Sequence, residues 1–362
     1  MRVAVVGAGA FGRNHLRVYR ELEAAGNDGE GLGVILAAAV EPDPARAADA
    51  AEKYGIPVFP SVDELLAADL KLDAATVAVP TVRHHEVASA LLDAGLDLLV
   101  EKPLAASLKE ADDLIERADK GKCIVQPGHL ERFNPAVLAV EPKLRRPMFF
   151  ESHRLSIFTP RALDVDVVLD LMIHDLDIVL TFAASPVREV RAVGLPILSP
   201  KVDIANVRVE FESGCVANFT ASRVSTERVR KLRFFEPRQY VSIDYARRDV
   251  LVIGVDGRIP AEIAAAIAEG KVDAAALARL AAAAGGAGGP GPGLSFSKPP
   301  VPPGEPLRLE IESFLDSVRT RREPRVTARQ GRNALALALE IQASMAAHAE
   351  RAGLKDFFKA GA

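Results

Sequence analysis

The chain has 362 residues, a formal net charge of −4 and 49% hydrophobic residues. We expect two domains at this length, and the mildly acidic balance argues against nucleic acid or an anionic membrane as the partner. Two cysteines exclude a disulfide framework, and no apolar run reaches the roughly 20 residues of a membrane span. The first residues do not resemble a signal peptide, so we expect a cytoplasmic protein.

A glycine-rich turn follows the first predicted strand, residues 3–6, and leads directly into a helical pattern. In this context Gly7 allows a tight turn, Gly9 lets the backbone approach a pyrophosphate, and Gly12 lets the helix pack against the strand. The start of the helix offers backbone N–H groups to the phosphates. We therefore predict a dinucleotide site whose cofactor contacts include Gly7, Gly9, Ala10, Phe11 and Gly12.

The second predicted strand, residues 34–40, ends in an acid, Glu41. A carboxylate there accepts hydrogen bonds from the adenosine ribose and repels the extra phosphate of NADP. The acid follows the glycines by more than the usual ~20 residues, and residues 26–33 look like a surface insertion that explains the excess. The sequence predicts NAD as the cofactor, although the nearby Arg46 leaves some use of NADP open.

Short strands and helices continue to alternate up to residue 126, which predicts a parallel, doubly wound sheet. The predicted helices at residues 62–68 and after Ser107 begin with N-capping serines. The apolar run 98–100 is typical of a strand covered on both faces, and it ends in Glu101-Lys102-Pro103.

Lys102 is the strongest single candidate in this half of the chain. Ligands of open α/β sheets bind beyond the carboxyl ends of the strands, and Pro103 disfavours a helical conformation at Lys102. We expect its ammonium group to lie at the mouth of the sheet. The further predicted cofactor contacts are Lys102 itself, Pro80, His84 and Glu101.

The helix predicted over residues 165–183 carries a second polar face with Asp166, Asp170, His174 and Asp177. Removing a hydride from a carbinol carbon requires the hydroxyl proton to leave, and histidine titrates in the right range to accept it. We predict His174 as general base, Lys102 as stabiliser of the developing negative charge, and Asp170 as orienting acid or ligand of a neighbouring hydroxyl. Lys102 as the base remains an open alternative. The spacing favours no metal site.

Strands follow one another without helices from residue 187 to 253, which predicts an antiparallel sheet. Basic residues cluster between positions 223 and 238, either on a solvated face or as a grip for pyrophosphate. An alanine-rich helix is predicted at residues 261–284, a mobile Gly/Pro-rich loop at 285–306, and helices at 307–320 and 327–351. We predict a nucleotide domain at 1–126, an α+β substrate domain at 127–325, and a C-terminal helix at 326–362 that packs on the first domain.

Four motifs resemble the Gfo/Idh/MocA oxidoreductases: the glycine turn, Pro80-Thr81-Val82-Arg83-His84, Glu101-Lys102-Pro103 and Asp170-Leu171-Met172-Ile173-His174. The resemblance extends over nearly the whole chain. It implies an N-terminal Rossmann domain and a C-terminal α+β domain with an open, mostly antiparallel sheet. It also implies a homodimer or homotetramer formed through that sheet.

Within the family, residues 128–135 and 223–249 look most like the UDP-N-acetylglucosamine 3-dehydrogenases. That resemblance implies NAD-dependent oxidation of a sugar 3-hydroxyl, in a route to the diamino sugar of lipid A. The substrate contacts it suggests are Lys102, Arg132, Asn134, Asp170, His174 and Arg223. Phe133 and Tyr240 are weaker candidates for stacking on uracil. The alternatives are a dehydrogenase of inositol or another free sugar, and a non-catalytic NAD-binding regulator.

Overall fold

The computed structural model describes residues 1–27, 33–159, 165–255 and 294–354. Their contacts divide the chain into two compact units. The N-terminal unit comprises Met1–Phe133 and Gly304–Leu339, and the C-terminal unit comprises Asn134–Pro303 and Glu340–Ala362. The domain boundaries expected after residues 126 and 325 stay predictions.

The N-terminal unit is built on a six-stranded parallel sheet with the order β3-β2-β1-β4-β5-β6. Its strands are β1 (Arg2–Val6), β2 (Ile35–Val40), β3 (Val58–Phe59), β4 (Ala74–Val77), β5 (Asp97–Glu101) and β6 (Val125–Gly128). The helices are α1 (Gly12–Asn27), α2 (Pro44–Tyr54), α3 (Val62–Ala67), α4 (His84–Asp93) and α5 (Leu108–Gly121). The strand order reverses between β1 and β4, where open α/β sheets bind their ligands. The predicted Rossmann fold is confirmed.

Local sequence explains several element boundaries. Ser61 and Ser107 accept hydrogen bonds from the backbone N–H groups of Glu64 and Glu110, as expected of N-caps. Gly55 ends α2 in the left-handed conformation. Of the insertion predicted at residues 26–33, residues 28–32 lie outside the described part of the chain.

A late helix completes the core of the N-terminal unit. Helix α8 (Pro306–Thr320) places Leu307, Ile311 and Phe314 in one apolar cluster with residues of β1 and α1. These residues recur at helical spacing, so α8 buries one apolar face against β1 and α1, which lie almost 300 residues earlier in the sequence.

The C-terminal unit contains an eight-stranded sheet with the order β14-β13-β12-β11-β7-β10-β9-β8. The strands are β7 (Phe149–Leu155), β8 (Val187–Leu195), β9 (Ile204–Phe211), β10 (Val216–Ser222), β11 (Val229–Glu236), β12 (Gln239–Asp244), β13 (Asp249–Val255) and β14 (Leu294–Ser297). Only β7 and β10 pair in parallel in this described sheet. The expectation of a mostly antiparallel sheet is confirmed.

The remaining helices are α6 (Pro135–Val140), α7 (Ile173–Ala183) and α9 (Ala328–Arg351). The division between the two units, after Leu339, falls within α9. No helix in the described part of the chain is both long and apolar enough to cross a membrane.

Two expectations need correction. Residues Leu294–Ser297, placed in a mobile loop over 285–306, form strand β14 and pair with β13. The helix expected over 165–183 is not uniform, because Val168–Met172 forms a π-helical turn before α7. Alternating Leu294-Ser295-Phe296-Ser297 fits a strand, but the surrounding glycines and prolines masked this short pattern. The helix predicted at 261–284 lies outside the described residues.

Candidate active site

The glycine turn between β1 and α1 is closed against its own chain at two positions. Gly7 has φ +98°, and a Cβ atom there would lie 2.6 Å from the Ala78 carbonyl oxygen. A Cβ atom on Gly12 would lie 1.8 Å from the Gly7 carbonyl oxygen. Side chains at either position are therefore excluded by backbone atoms that have little room to move.

The turn is open at Gly9. Apart from Gly9 itself and its chain neighbours Ala8 and Ala10, no described residue has an atom within 4 Å of the position that a Gly9 Cβ would occupy. Gly9 instead lines a cavity of about 570 Å³, together with Glu41, Pro80 and residues of the turn before α3. The backbone thus leaves space at the position where a close-approaching ligand needs it, and the site fits a dinucleotide.

Glu41 ties the end of β2 to the glycine turn. Its Oε2 accepts a hydrogen bond from the Ala8 backbone N–H at 2.9 Å, and its Oε1 accepts from Asp43 N at 3.0 Å. Arg46 Nη2 donates to the same Oε1 at 2.8 Å, and this bond raises the pKa of Arg46. The carboxylate is 4% exposed and supports the shape of the turn, while its contact with the ribose stays a prediction.

Strand β5 ends at Glu101, whose side chain is buried and oriented by helix α1. Glu101 Oε1 lies 2.7 Å from Nε2 of His15, a residue in the first turns of that helix. Lys102 follows and is half-buried between buried Glu101 and buried Pro103. The predicted position of Lys102, directly after the carboxyl end of a buried parallel strand, is therefore observed.

His84 lies beside the same strand end but is held by backbone. Its Nδ1 is 2.8 Å from the Pro103 carbonyl oxygen and its Nε2 is 2.9 Å from the Val79 carbonyl oxygen. The ring is 1% exposed, and burial lowers the pKa of His84. In this position His84 links the ends of β4 and β5, and its predicted contact with the cofactor stays untested.

Two buried polar residues next to Glu101 were missed in the sequence. His15 and Glu310, on α1 and α8, are each 0% exposed. The available signal is their position on apolar helix faces, because His15 precedes Tyr19 by four residues and Glu310 follows Leu307 by three. A polar residue on such a face needs a buried partner, which sequence spacing alone does not identify.

In the C-terminal unit, the π turn and α7 separate exposed from buried polar residues. Asp170 and His174 are half-buried, whereas Asp175 and Asp177 are each 2% exposed. A π turn inserts one residue into the helical repeat and is frequent at functional sites. Of the four polar residues predicted to share one face, Asp177 is buried, while Asp170 and His174 remain accessible.

Asp175 has a structural partner. Arg154 donates to its carboxylate through Nε at 2.7 Å and Nη2 at 3.1 Å, and the two side chains are 4% and 2% exposed. The Arg154 guanidinium also lies 5.3 Å from the centroid of the Tyr245 ring. This buried ion pair fixes α7 on the sheet.

Three predicted substrate contacts also take part in structural bonds. Arg132 donates to the Arg325 carbonyl at 3.4 Å, and Asn134 caps α6 through the Ala136 N–H. Arg223 pairs with Asp203 at 3.2 Å and donates to the Val165 carbonyl. All three are at most 4% exposed, and their contacts with substrate stay predictions.

Within the described ranges, no group of three or more His, Cys, Asp or Glu side chains is arranged to hold a metal ion.

Two family models match the chain. The first describes an oxidoreductase family with an NAD-binding Rossmann fold and matches residues 1–129, and the second describes the GFO/IDH/MocA C-terminal domain and matches residues 136–242. The chain belongs to the GFO/IDH/MocA family. It is an NAD-dependent oxidoreductase, and NAD is its cofactor.

The chain is similar over almost its full length to the UDP-N-acetylglucosamine 3-dehydrogenase of Acidithiobacillus ferrooxidans. The identity is 31%, covering 97% of this chain and 99% of the relative. The solved structure of that enzyme aligns with a TM-score of 0.80 over 96% of this chain and 98% of its own.

Two further relatives illustrate a partial match and a likeness in fold. An inositol 2-dehydrogenase of Corynebacterium glutamicum is 31% identical over 56% of this chain and 58% of its own length. An oxidoreductase of Agrobacterium radiobacter, solved with NAD+, L-tartaric acid and magnesium, is 14% identical and aligns with a TM-score of 0.75 over 96% of each chain.

Proposed function

We propose that this protein oxidises the 3-hydroxyl of UDP-N-acetylglucosamine to the 3-keto sugar nucleotide, with NAD as acceptor. The observation that supports this substrate is the likeness to the Acidithiobacillus enzyme, which includes both units and nearly every residue of each chain. The inositol relative matches little more than half of this chain.

The residues of the N-terminal unit fit the cofactor. The open backbone at Gly9 and the N–H groups at the start of α1 suit the pyrophosphate, with Ala10 and Phe11 in the same turn. Glu41 suits the adenosine ribose. Its Oε2 accepts a hydrogen bond from the Ala8 N–H, and a carboxylate oxygen can accept a second one from a hydroxyl group. Pro80, His84 and Glu101 surround the adjoining strand ends. The bound nicotinamide would supply the hydride acceptor.

Three side chains are assigned to the chemistry. We infer that His174 accepts the proton of the substrate hydroxyl and that Lys102 stabilises negative charge on its oxygen. Asp170, one turn before His174, is suited to bind a neighbouring hydroxyl or orient the base. Exchange of the roles of Lys102 and His174 gives the alternative mechanism.

Arg132, Asn134 and Arg223 are proposed to serve the sugar nucleotide while keeping their structural bonds. A guanidinium fork matches the geometry of phosphate oxygens.

We also propose that copies of the chain associate through the C-terminal sheet. Phe235 is 36% exposed and lies 5.4 Å from Phe149 and 5.2 Å from Tyr240, measured between ring centroids. A partly exposed aromatic cluster on a sheet is suited to protein contacts. Cytoplasmic location and a place in the route to lipid A belong to the same proposal.

The test is to incubate the purified protein with NAD and UDP-N-acetylglucosamine and to follow the absorbance of reduced nicotinamide. NMR of the product identifies the oxidised carbon. UDP-glucose and myo-inositol serve as comparison substrates. A signal with inositol and none with the sugar nucleotide would contradict the proposed substrate, and NAD binding without turnover of any of them would favour a regulator.

A further inference from the structure

Helix α8 brings a buried acid, Glu310, into the N-terminal unit. Glu310 is 0% exposed, and neither carboxyl oxygen has a hydrogen-bond partner among the described residues. Its backbone carbonyl accepts a hydrogen bond from Gln126 Nε2 at 3.2 Å, which fixes α8 to β6. A charged carboxylate in such surroundings has no compensation, so this position favours the neutral acid.

Helix α8 packs on strand β5, whose last residue is the acid Glu101. Burial raises the pKa of Glu310 well above its usual value, and the negative charge of Glu101 raises it further. Two carboxyl groups in one buried site cannot both ionise without strong repulsion. Of the two carboxyl groups, Glu101 has a hydrogen-bonding partner, because its Oε1 lies 2.7 Å from Nε2 of His15.

Glu101 has little freedom to move away from this cluster. A Cβ atom on Gly128 would lie 3.0 Å from both Glu101 Cα and Glu101 Oε2, so the backbone of strand β6 packs closely against Glu101. On the other side, His15 belongs to α1, the helix that starts at the glycine turn.

The other titratable groups around α8 come from three elements. Helix α1 contributes His15 and Tyr19, and burial raises the pKa of Tyr19, whose hydroxyl bonds Thr76 at 2.8 Å. Strand β5 contributes Glu101 and leads to Lys102. The turn Leu130–Phe133, which packs on α8, carries the buried Glu131 and Arg132.

We propose that Glu310 is a positioning residue for the cofactor site. The protein binds NADH when one of the two carboxyl groups, Glu101 or Glu310, is protonated. The bound dinucleotide places a negatively charged pyrophosphate at the start of α1, and this charge favours protonation of a nearby buried acid. By linkage, NADH binding takes up a proton when the pH exceeds the pKa of Glu310 in the free protein.

The test compares NADH affinity across pH in the wild type, Glu310→Gln and Glu312→Gln. Glutamine reproduces the neutral acid at every pH. Glu312 is a control on the same helix, ion-paired with Arg308 at 2.8 Å. Above the pKa of Glu310 the wild-type Kd should rise by up to about tenfold per pH unit, Glu312→Gln should follow the wild type, and Glu310→Gln should flatten this dependence.

A Glu310→Gln protein that retains the wild-type pH dependence of NADH affinity overturns the proposal. A purely structural role is recognised by a changed pH dependence of unfolding in the free protein with an unchanged NADH profile, which also overturns it. The comparison is repeated with Lys102→Met to remove titration of the ammonium group, and the effect of Glu310→Gln should persist there.

If Glu310→Gln does not fold, the wild type alone decides. Calorimetry of NADH binding in two buffers with different ionisation enthalpies measures proton uptake on the alkaline side of the profile. Uptake approaching one proton supports the proposal, and absence of uptake across the alkaline range overturns it. Because this test uses NADH without a sugar, its outcome is independent of the proposed substrate.

Discussion

The two units use buried charge differently. In the N-terminal unit, Glu41 and Glu101 lie at strand ends and bind the glycine turn or its helix. In the C-terminal unit, Arg154 and Arg223 are held by aspartates and carbonyl groups within the fold. Buried acids thus shape a ligand site in one unit, whereas buried bases stabilise the framework in the other, although both kinds of residue look like site candidates in the sequence.

The glycine turn gives the sharpest contrast between shape and ligand contact. Gly12→Ala should prevent stable folding of the turn, because its Cβ atom would lie 1.8 Å from a carbonyl oxygen. Gly9→Ala should fold normally and weaken NAD binding, because its Cβ enters open space. Thermal unfolding and NAD titration of both variants measure the difference. Equal stability of the two proteins would contradict the observed packing.

His174→Ala should lower kcat by about 10²- to 10⁴-fold, the usual contribution of a general base, with little change in the Kd of NAD. His85→Ala is the control, since His85 forms a surface pair with Asp113 at 2.8 Å. Steady-state rates at saturating substrate are the measurement. Wild-type turnover in His174→Ala would transfer the role of base to Lys102.

Arg154→Ala should destabilise the C-terminal unit by about 3–5 kcal/mol, because it leaves the Asp175 carboxylate buried and unpaired. Arg233→Ala provides the comparison, since its pair with Glu151 is about one-third exposed and surface pairs contribute about 0–1 kcal/mol. Chemical denaturation of both variants separates these values. Similar losses would mean that the framework does not depend on buried charge.

The smallest expected effect concerns the choice of cofactor. Arg46 neutralises part of the Glu41 charge, so Arg46→Ala should lower kcat/KM for NADP relative to NAD by about tenfold, the order of one lost charged contact. The ratio of the two specificity constants is the measurement. An unchanged ratio would show that Arg46 only supports Glu41.

Much of the N-terminal unit could be predicted because its signals are local. The glycine turn, the serine caps and the apolar strand before Glu101 each depend on a few consecutive residues, and the structure contains all three. Strand β14 was missed because it has only four residues, of which two are apolar, and an alternation of apolar and polar residues this short does not identify a strand. The π turn was missed because apolar spacing does not distinguish one inserted residue from a regular helix.

The sequence by itself determined the fold class and the cofactor, since these follow from short motifs. The residues suited to proton transfer were proposed from the chemistry of their side chains and stay a prediction. Only the tertiary structure decided which polar residues are structural. It paired His15 with Glu101 and Arg154 with Asp175, and it buried Glu310 on a helix far along the chain. The physical reason is that a buried charge depends on partners brought together by folding, and their separation in sequence contains no record of that contact.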